Sequence, residues 1–318
     1  MYRPRRDPVW RVAGLLETMA AILAHHLCLS DRWICRKRMN ITSPTHEGHG
    51  EGLSLTGEAT GASDLDAARE QRWNERQLAE PVLQPRMKVW TYREGAIVLG
   101  RSQHALADRP AAAGVGGAPA GDAAGMSPDG LADSGAVRLP LVKRGAGGGA
   151  VLVGPWLLSA SLLLPLDDPR MAMTSVADSY RWLGEAMMET LAELGVTARA
   201  VPPAERIPAP ERLAWACFAG VAPWEVVVVD DPATGVARKL VGFAQRRSRH
   251  GVLLALGVLV QPAPWRLLAQ TLGHPVALAD ELAATTVDLA SVSPRPVSND
   301  DFLAVLWPRL QPMSLMTD

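Results

Sequence analysis

The chain has 318 residues, room for one large domain or two ordinary ones. Its 32 Lys+Arg against 33 Asp+Glu give a net charge of −1, which argues against a dedicated nucleic-acid binder. A hydrophobic content of 48% excludes global disorder, and no apolar run is long and uncharged enough to span a membrane.

Three cysteines, Cys28, Cys35 and Cys217, cannot build a disulfide framework, so a reducing, cytoplasmic setting is expected. Residues 1–51 read as a poorly ordered extension with one amphipathic helix over 9–27. The run 64–79 reads as a helix capped by Ser63 or Asp64 and stopped by Pro81. Two strands follow, 86–92 and 96–99, joined by a turn at Glu94-Gly95. Residues 105–136 are rich in Ala, Gly and Pro and read as a flexible insertion. A strand is expected at 157–164. In 175–194, Leu183, Met187 and Leu191 recur at helical spacing, with Gly195 as the stop. Strands at 225–229, 239–245 and 252–260 come next, then helical pieces at 264–272 and 299–308. This order predicts an α+β fold with a mixed, largely antiparallel sheet packed with helices.

Three segments carry candidate chemistry. Gly145 to Gly149, preceded by Lys143 and Arg144, sits between two apolar strands. Consecutive glycines permit close backbone approach to a ligand, and their amides can converge on an anion or carbonyl oxygen. A tight turn is the plainer reading. Lys239 lies on a strand among apolar neighbours, where it can hold an acyl or phosphate oxygen, or serve only as an edge-strand lysine. Cys217 precedes a strand; it is an inert buried thiol or, with a cation such as Lys239 across the hairpin, a nucleophile.

Taken in order, AIVLGRSQ (96–103), VKRGAGGGAV (142–151), CFAGVAPWE (217–225) and RKLVGFAQRR (238–247) resemble the lipoate–protein ligase A / octanoyltransferase family, which is related to biotin–protein ligases. The resemblance runs over residues 52–261, with 262–318 left as a helical tail and no full accessory domain. It implies the biotin/lipoyl protein ligase catalytic fold. It also implies transfer of a lipoyl or octanoyl group, through an acyl-adenylate, to a lysine on a lipoyl domain of a 2-oxoacid dehydrogenase or glycine cleavage protein. ATP and Mg²⁺ would serve such a ligase. The alternatives are an octanoyltransferase that takes its chain from acyl carrier protein through a Cys217 thioester, needing no cofactor, and a non-catalytic lipoyl-domain binder. No protein-bound metal site is assigned.

By the same resemblance Lys239 and Cys217 are catalytic. Arg144, Gly147, Gly148, Gly149, Ala150, Gly100, Arg101, Gly242 and Ala244 bind the acyl group or adenylate. Lys143, Arg144, Arg246 and Arg247 are cations suited to an acidic carrier or lipoyl domain. There are departures: Ala146 replaces a Ser or Thr, Leu152-Val153 a His-Asp pair, and Leu254-Ala255-Leu256-Gly257 a segment ending His-His-Gly. Phe243 stands where a smaller residue is usual and is expected to narrow the tunnel.

Overall fold

A computed structural model describes residues 65–108, 138–172, 175–231 and 235–316. These fall within the unit Ala59–Asp318; the second unit, Met1–Glu58, lies outside the described residues, as do the expected helix at 9–27 and most of the expected insertion.

The chain order is α1 (Asp66–Gln77), β1 (Arg86–Trp90), β2 (Ala96–Leu99), α2 (His104–Ala107), β3 (Leu141–Lys143), β4 (Val151–Val153), β5 (Leu157–Leu164), α3 (Arg181–Glu193), β6 (Ala198–Ala200), β7 (Val226–Asp231), β8 (Val236–Ser248), β9 (Gly251–Leu259), α4 (Trp265–Leu272), α5 (Ala277–Ala284), α6 (Leu289–Val292), α7 (Asn299–Leu306) and β10 (Ser314–Leu315). Seven strands form one sheet in the order β10-β1-β5-β9-β8-β7-β6, antiparallel except for the β1–β10 edge. A second sheet has the order β3-β2-β4.

β5 explains the centre of the large sheet. LLSASLLL is buried at every position, as an interior strand covered on both faces must be. Its two serines are paired: Ser161 Oγ accepts from Trp90 Nε1 at 3.0 Å, and Ser159 Oγ donates to the Leu256 carbonyl at 3.0 Å. α3 buries Leu183, Met187 and Leu191 along one stripe and ends at Gly195, whose φ of +82° is left-handed. The Ser175–Asp178 cap forms one turn ahead of the helix proper.

The expected strands at 86–92 and 96–99 exist, in different sheets. β1 pairs with β5 in the large sheet and β2 with β3 and β4 in the small one, so the Glu94-Gly95 turn carries the chain between sheets. At α1, the N-cap residue is Leu65, which makes no side-chain cap bond. Residues 105–107, expected in the insertion, belong to α2. The segment after β9 packs into the same core through Trp265, Leu282, Phe302 and Leu310, and β10 adds an edge to β1. Among the described residues no helix is long and apolar enough to cross a membrane.

Candidate functional site

The glycine loop links β3 to β4, and its backbone is pressed against two other turns. Gly148 takes a left-handed φ of +94°. Its carbonyl lies so close to Gly100 that a Cβ on Gly100 would overlap it. A Cβ on Gly149 would come within 2.8 Å of the Trp215 carbonyl and 2.9 Å of the Cys217 nitrogen. Hydrogen bonds close the same seams. Arg101 N donates to Ala146 O at 3.2 Å, Ala150 N to Trp215 O at 2.8 Å, and Cys217 N to Ala150 O at 2.9 Å. The buried Arg144 guanidinium donates from Nη2 to the carbonyls of Gly147 (2.8 Å) and Gly149 (2.9 Å), which stiffens the loop from within. Three segments drawn from more than a hundred residues of chain, Gly100 to Cys217, are thus one backbone assembly.

Beside it lies a cavity of about 710 Å³, including its open mouth. Val98, Val151, Val153, Leu157, Leu253 and Leu256 give it apolar walls. Phe243 also lines it and stacks on Tyr180 at 5.8 Å. One side comes from α1, whose Glu70 and Asn74, one helical turn apart, face the cavity. Glu70 is 4% exposed and its Oε2 accepts the Tyr92 hydroxyl at 2.7 Å. Burial pushes its carboxyl up to about 7, against the opposing influence of the Tyr92 bond and nearby Arg144. An ion pair between Glu75 of α1 and Arg246 of β8 passes over Gly145, which has no side chain to obstruct it.

Of the predicted site residues, Cys217, Arg144, Gly242 and Ala244 line this cavity. Gly145 and Ala146 are the other loop residues that do; the Gly147–Gly149 triplet and Ala150 lie outside the lining, where Gly149 and Ala150 brace the 215–217 turn and the Gly148 carbonyl presses on Gly100. Gly100 is a buried hinge of that brace, and Arg101 is exposed. Lys143 is paired with Asp108 at 2.6 Å.

Lys239, expected at the acyl group, lies directly behind the cavity wall formed by Phe218 and Gly242. It is 1% exposed and absent from the lining. Its Nζ pairs with Glu225 Oε2 at 2.6 Å and donates to the carbonyls of Gly220 (3.1 Å) and Cys217 (3.2 Å). The sequence reading missed Glu225 as its partner, and missed Glu70, Asn74, Glu75 and Tyr92 as cavity residues. The signal available for α1 was polar side chains beside Trp73 on the helix face that turns inward.

A sequence profile of the lipoyl protein ligase A/B catalytic domain matches residues 71–304. The chain belongs to that family. The match reaches past β9 into α7, so the helices after the sheet are part of the family domain. Against curated protein sequences there is no match. Among solved structures, the chain is similar to a bipartite lipoate protein ligase of Thermoplasma acidophilum studied with its E2 lipoyl domain. That likeness has 14% identity, covers 78% of this chain and 80% of that one, and has a TM-score of 0.49. It is also similar to a lipoate-protein ligase A bound with ATP (14% identity, 77% and 81% covered, TM-score 0.48). A biotin protein ligase of Aquifex aeolicus aligns over less (14% identity, 48% and 51% covered, TM-score 0.31).

Proposed function

We propose that this family member transfers a lipoyl or octanoyl group to a lysine of a lipoyl domain, and that Cys217 carries the group on the way. The observation behind this reading is that Cys217 lies in the wall of an apolar cavity while its backbone is bonded to the glycine loop.

The steps follow from that arrangement. The Cys217 thiolate attacks the acyl carbonyl of a carrier-bound thioester. The carrier thiolate leaves and takes up a proton, so one thioester replaces another. The lysine amine of the lipoyl domain then attacks the Cys217 thioester. The cysteine sulfur leaves with the electron pair, the nitrogen gives up its proton, and an amide remains. Backbone amides at the carbonyl oxygen in each step would lower the barrier by about 3–4 kcal/mol per well-placed donor.

The residues near the loop do not fit a magnesium ion. Leu152 and Val153, where the resemblance places a His-Asp pair, are buried among apolar residues, and Glu225 is bonded to Lys239 and two backbone amides. The test is intact-mass analysis of apo lipoyl domain incubated with the full chain and either octanoyl carrier protein or lipoate plus ATP. A mass gain with the carrier protein, abolished by Cys217→Ala, is expected. A gain with ATP alone would replace the thioester by an adenylate route. Binding without a gain under either condition would make the chain a lipoyl-domain binder.

A further inference from the structure

The two ends of the cavity differ chemically. On β8 its wall holds Gly242, beside Cys217 and Phe218. Gly242 pairs with Gly257 of β9, which pairs with Ser159 of β5, and all three line the cavity. Neighbouring strands lie about 4.8 Å apart, so Gly242 and Ser159 are about 10 Å from each other across the sheet. That span is comparable to an extended octanoyl chain. The two glycines leave the floor of the path bare of side chains.

The walls along the path are apolar, but the end beyond Ser159 is not. There Glu70 and Asn74 of α1 meet Tyr92 and Arg144, each at most 8% exposed. Ser159 and Arg144 stand beside the Glu70 carboxyl. Two polar atoms in this group, Asn74 Oδ1 and Arg144 Nε, are buried without a hydrogen-bond partner among the described residues. The other buried side-chain atoms in that condition lie outside the cavity lining. One of the two is an acceptor and the other a donor. A ligand ending in a methyl group would seal both from water and supply no bond to either, which is unfavourable. A terminus that donates and accepts would satisfy them. Burial raises the Glu70 carboxyl to about 7, so at pH 6 it is uncharged and offers a donor of its own.

We infer that the α1 end of the cavity selects the acyl group by its far terminus, taking a chain that ends in a neutral hydrogen-bonding group, such as a hydroxyl, over one that ends in a methyl. Asn74 and Arg144 determine the preference. This rests on the reading that the cavity holds the acyl group. Of the two groups considered above, lipoyl carries ring sulfurs, weak acceptors, towards that end and octanoyl carries none, so lipoyl should be taken ahead of octanoyl.

The test is isothermal titration of the full chain at pH 6 with the methyl esters of octanoic, lipoic and 8-hydroxyoctanoic acids. The esters have no carboxylate that could itself seek Arg144. The hydroxy ester should bind at least tenfold tighter than the octanoate ester, with the lipoate ester between them. In Asn74→Leu that preference should shrink at least fivefold. Because two ligands are compared on one protein, a general loosening of the fold cancels. A preference below tenfold in wild type, or a smaller change in the variant, overturns the inference. The wild-type comparison decides on its own where the variant fails to fold. Octanoate ester that binds as well as the hydroxy ester leaves the acyl cavity standing and removes only the selection at its far end. If none of the three esters binds, the acyl reading of the cavity falls, and the selection with it.

Discussion

At the scale of single residues, the glycines of the loop are not equivalent. Gly100 has an ordinary backbone conformation, but a methyl there would overlap the Gly148 carbonyl, a backbone atom that cannot step aside. Gly147 has no positive φ and nothing within 4 Å of where a Cβ would stand. Gly100→Ala should therefore cost more than about 2 kcal/mol of folding stability. Gly147→Ala should be neutral or stabilise by up to about 1 kcal/mol, by restricting the unfolded chain. Urea unfolding of the two variants against wild type checks the contrast; equal losses would contradict the described packing. The glycine cluster was legible in the sequence, as was its neighbourhood to Cys217 and Gly100 once the motifs were taken in order. The division of labour within the cluster was not, because it depends on which atoms of distant turns press on each residue. Lys239 shows the same limit: its strand could be read from apolar neighbours, but Glu225 as its partner follows from an irregular register, in which Val226 faces Val241 and Val227 faces Lys239.

At the scale of elements, α3 is seated by a close approach. A Cβ on Gly184 would lie 2.5 Å from the Trp224 carbonyl, in the turn that delivers Glu225 to Lys239. Gly184→Ala gains helix propensity but must push α3 off that turn, so a net loss of about 1–3 kcal/mol is expected. Urea denaturation of the variant against wild type checks it, and a variant as stable as wild type would contradict the described approach. Elements were easier to read than their partners. β5 and α3 announce themselves by an unbroken apolar run and a helical stripe, whereas the sheet partners of β1 and β2 do not, because a Gly-containing turn is the same local signal whether or not its strands share a sheet. β6 and β10, at three and two residues, are too short to carry a pattern.

At the scale of the whole molecule, the cavity couples folding to pH through Glu70. In the folded chain its carboxyl is raised to about 7 from an ordinary 4.5, chiefly by burial. Below pH 4.5 the folded and unfolded states both hold the proton, and the contribution to stability is complete. Between about 4.5 and 7 the unfolded chain releases the proton while the folded one keeps it, so stability falls with rising pH; above 7 the loss levels off. The whole effect is about 3 kcal/mol as an upper figure, since Arg144, Tyr92 and Ser159 face the same carboxyl and would share in it. Urea midpoints at pH 5 and pH 7 should differ in wild type and converge in Glu70→Gln. The position of Glu70 was invisible in the sequence for a plain reason. A polar residue facing water and one facing a ligand cavity occupy the same place in a hydropathy pattern.

β2 and β3 lie side by side and parallel, with Ile97 opposite Leu141, although the chain between them runs from Gly100 to Pro140. Both ends of that connection are tied down: Asp108 to Lys143, His104 to the Arg144 carbonyl, and the Leu139 amide to Thr271. The loop and cavity are therefore framed by the described ends of the connection. Doubling the length of such a closed segment adds only about 0.6 kcal/mol of closure entropy. For a protein engineer, the stretch between Asp108 and Arg138 is a socket. A reporter domain with neighbouring termini spliced there should leave the glycine loop and the cavity assembled on either side.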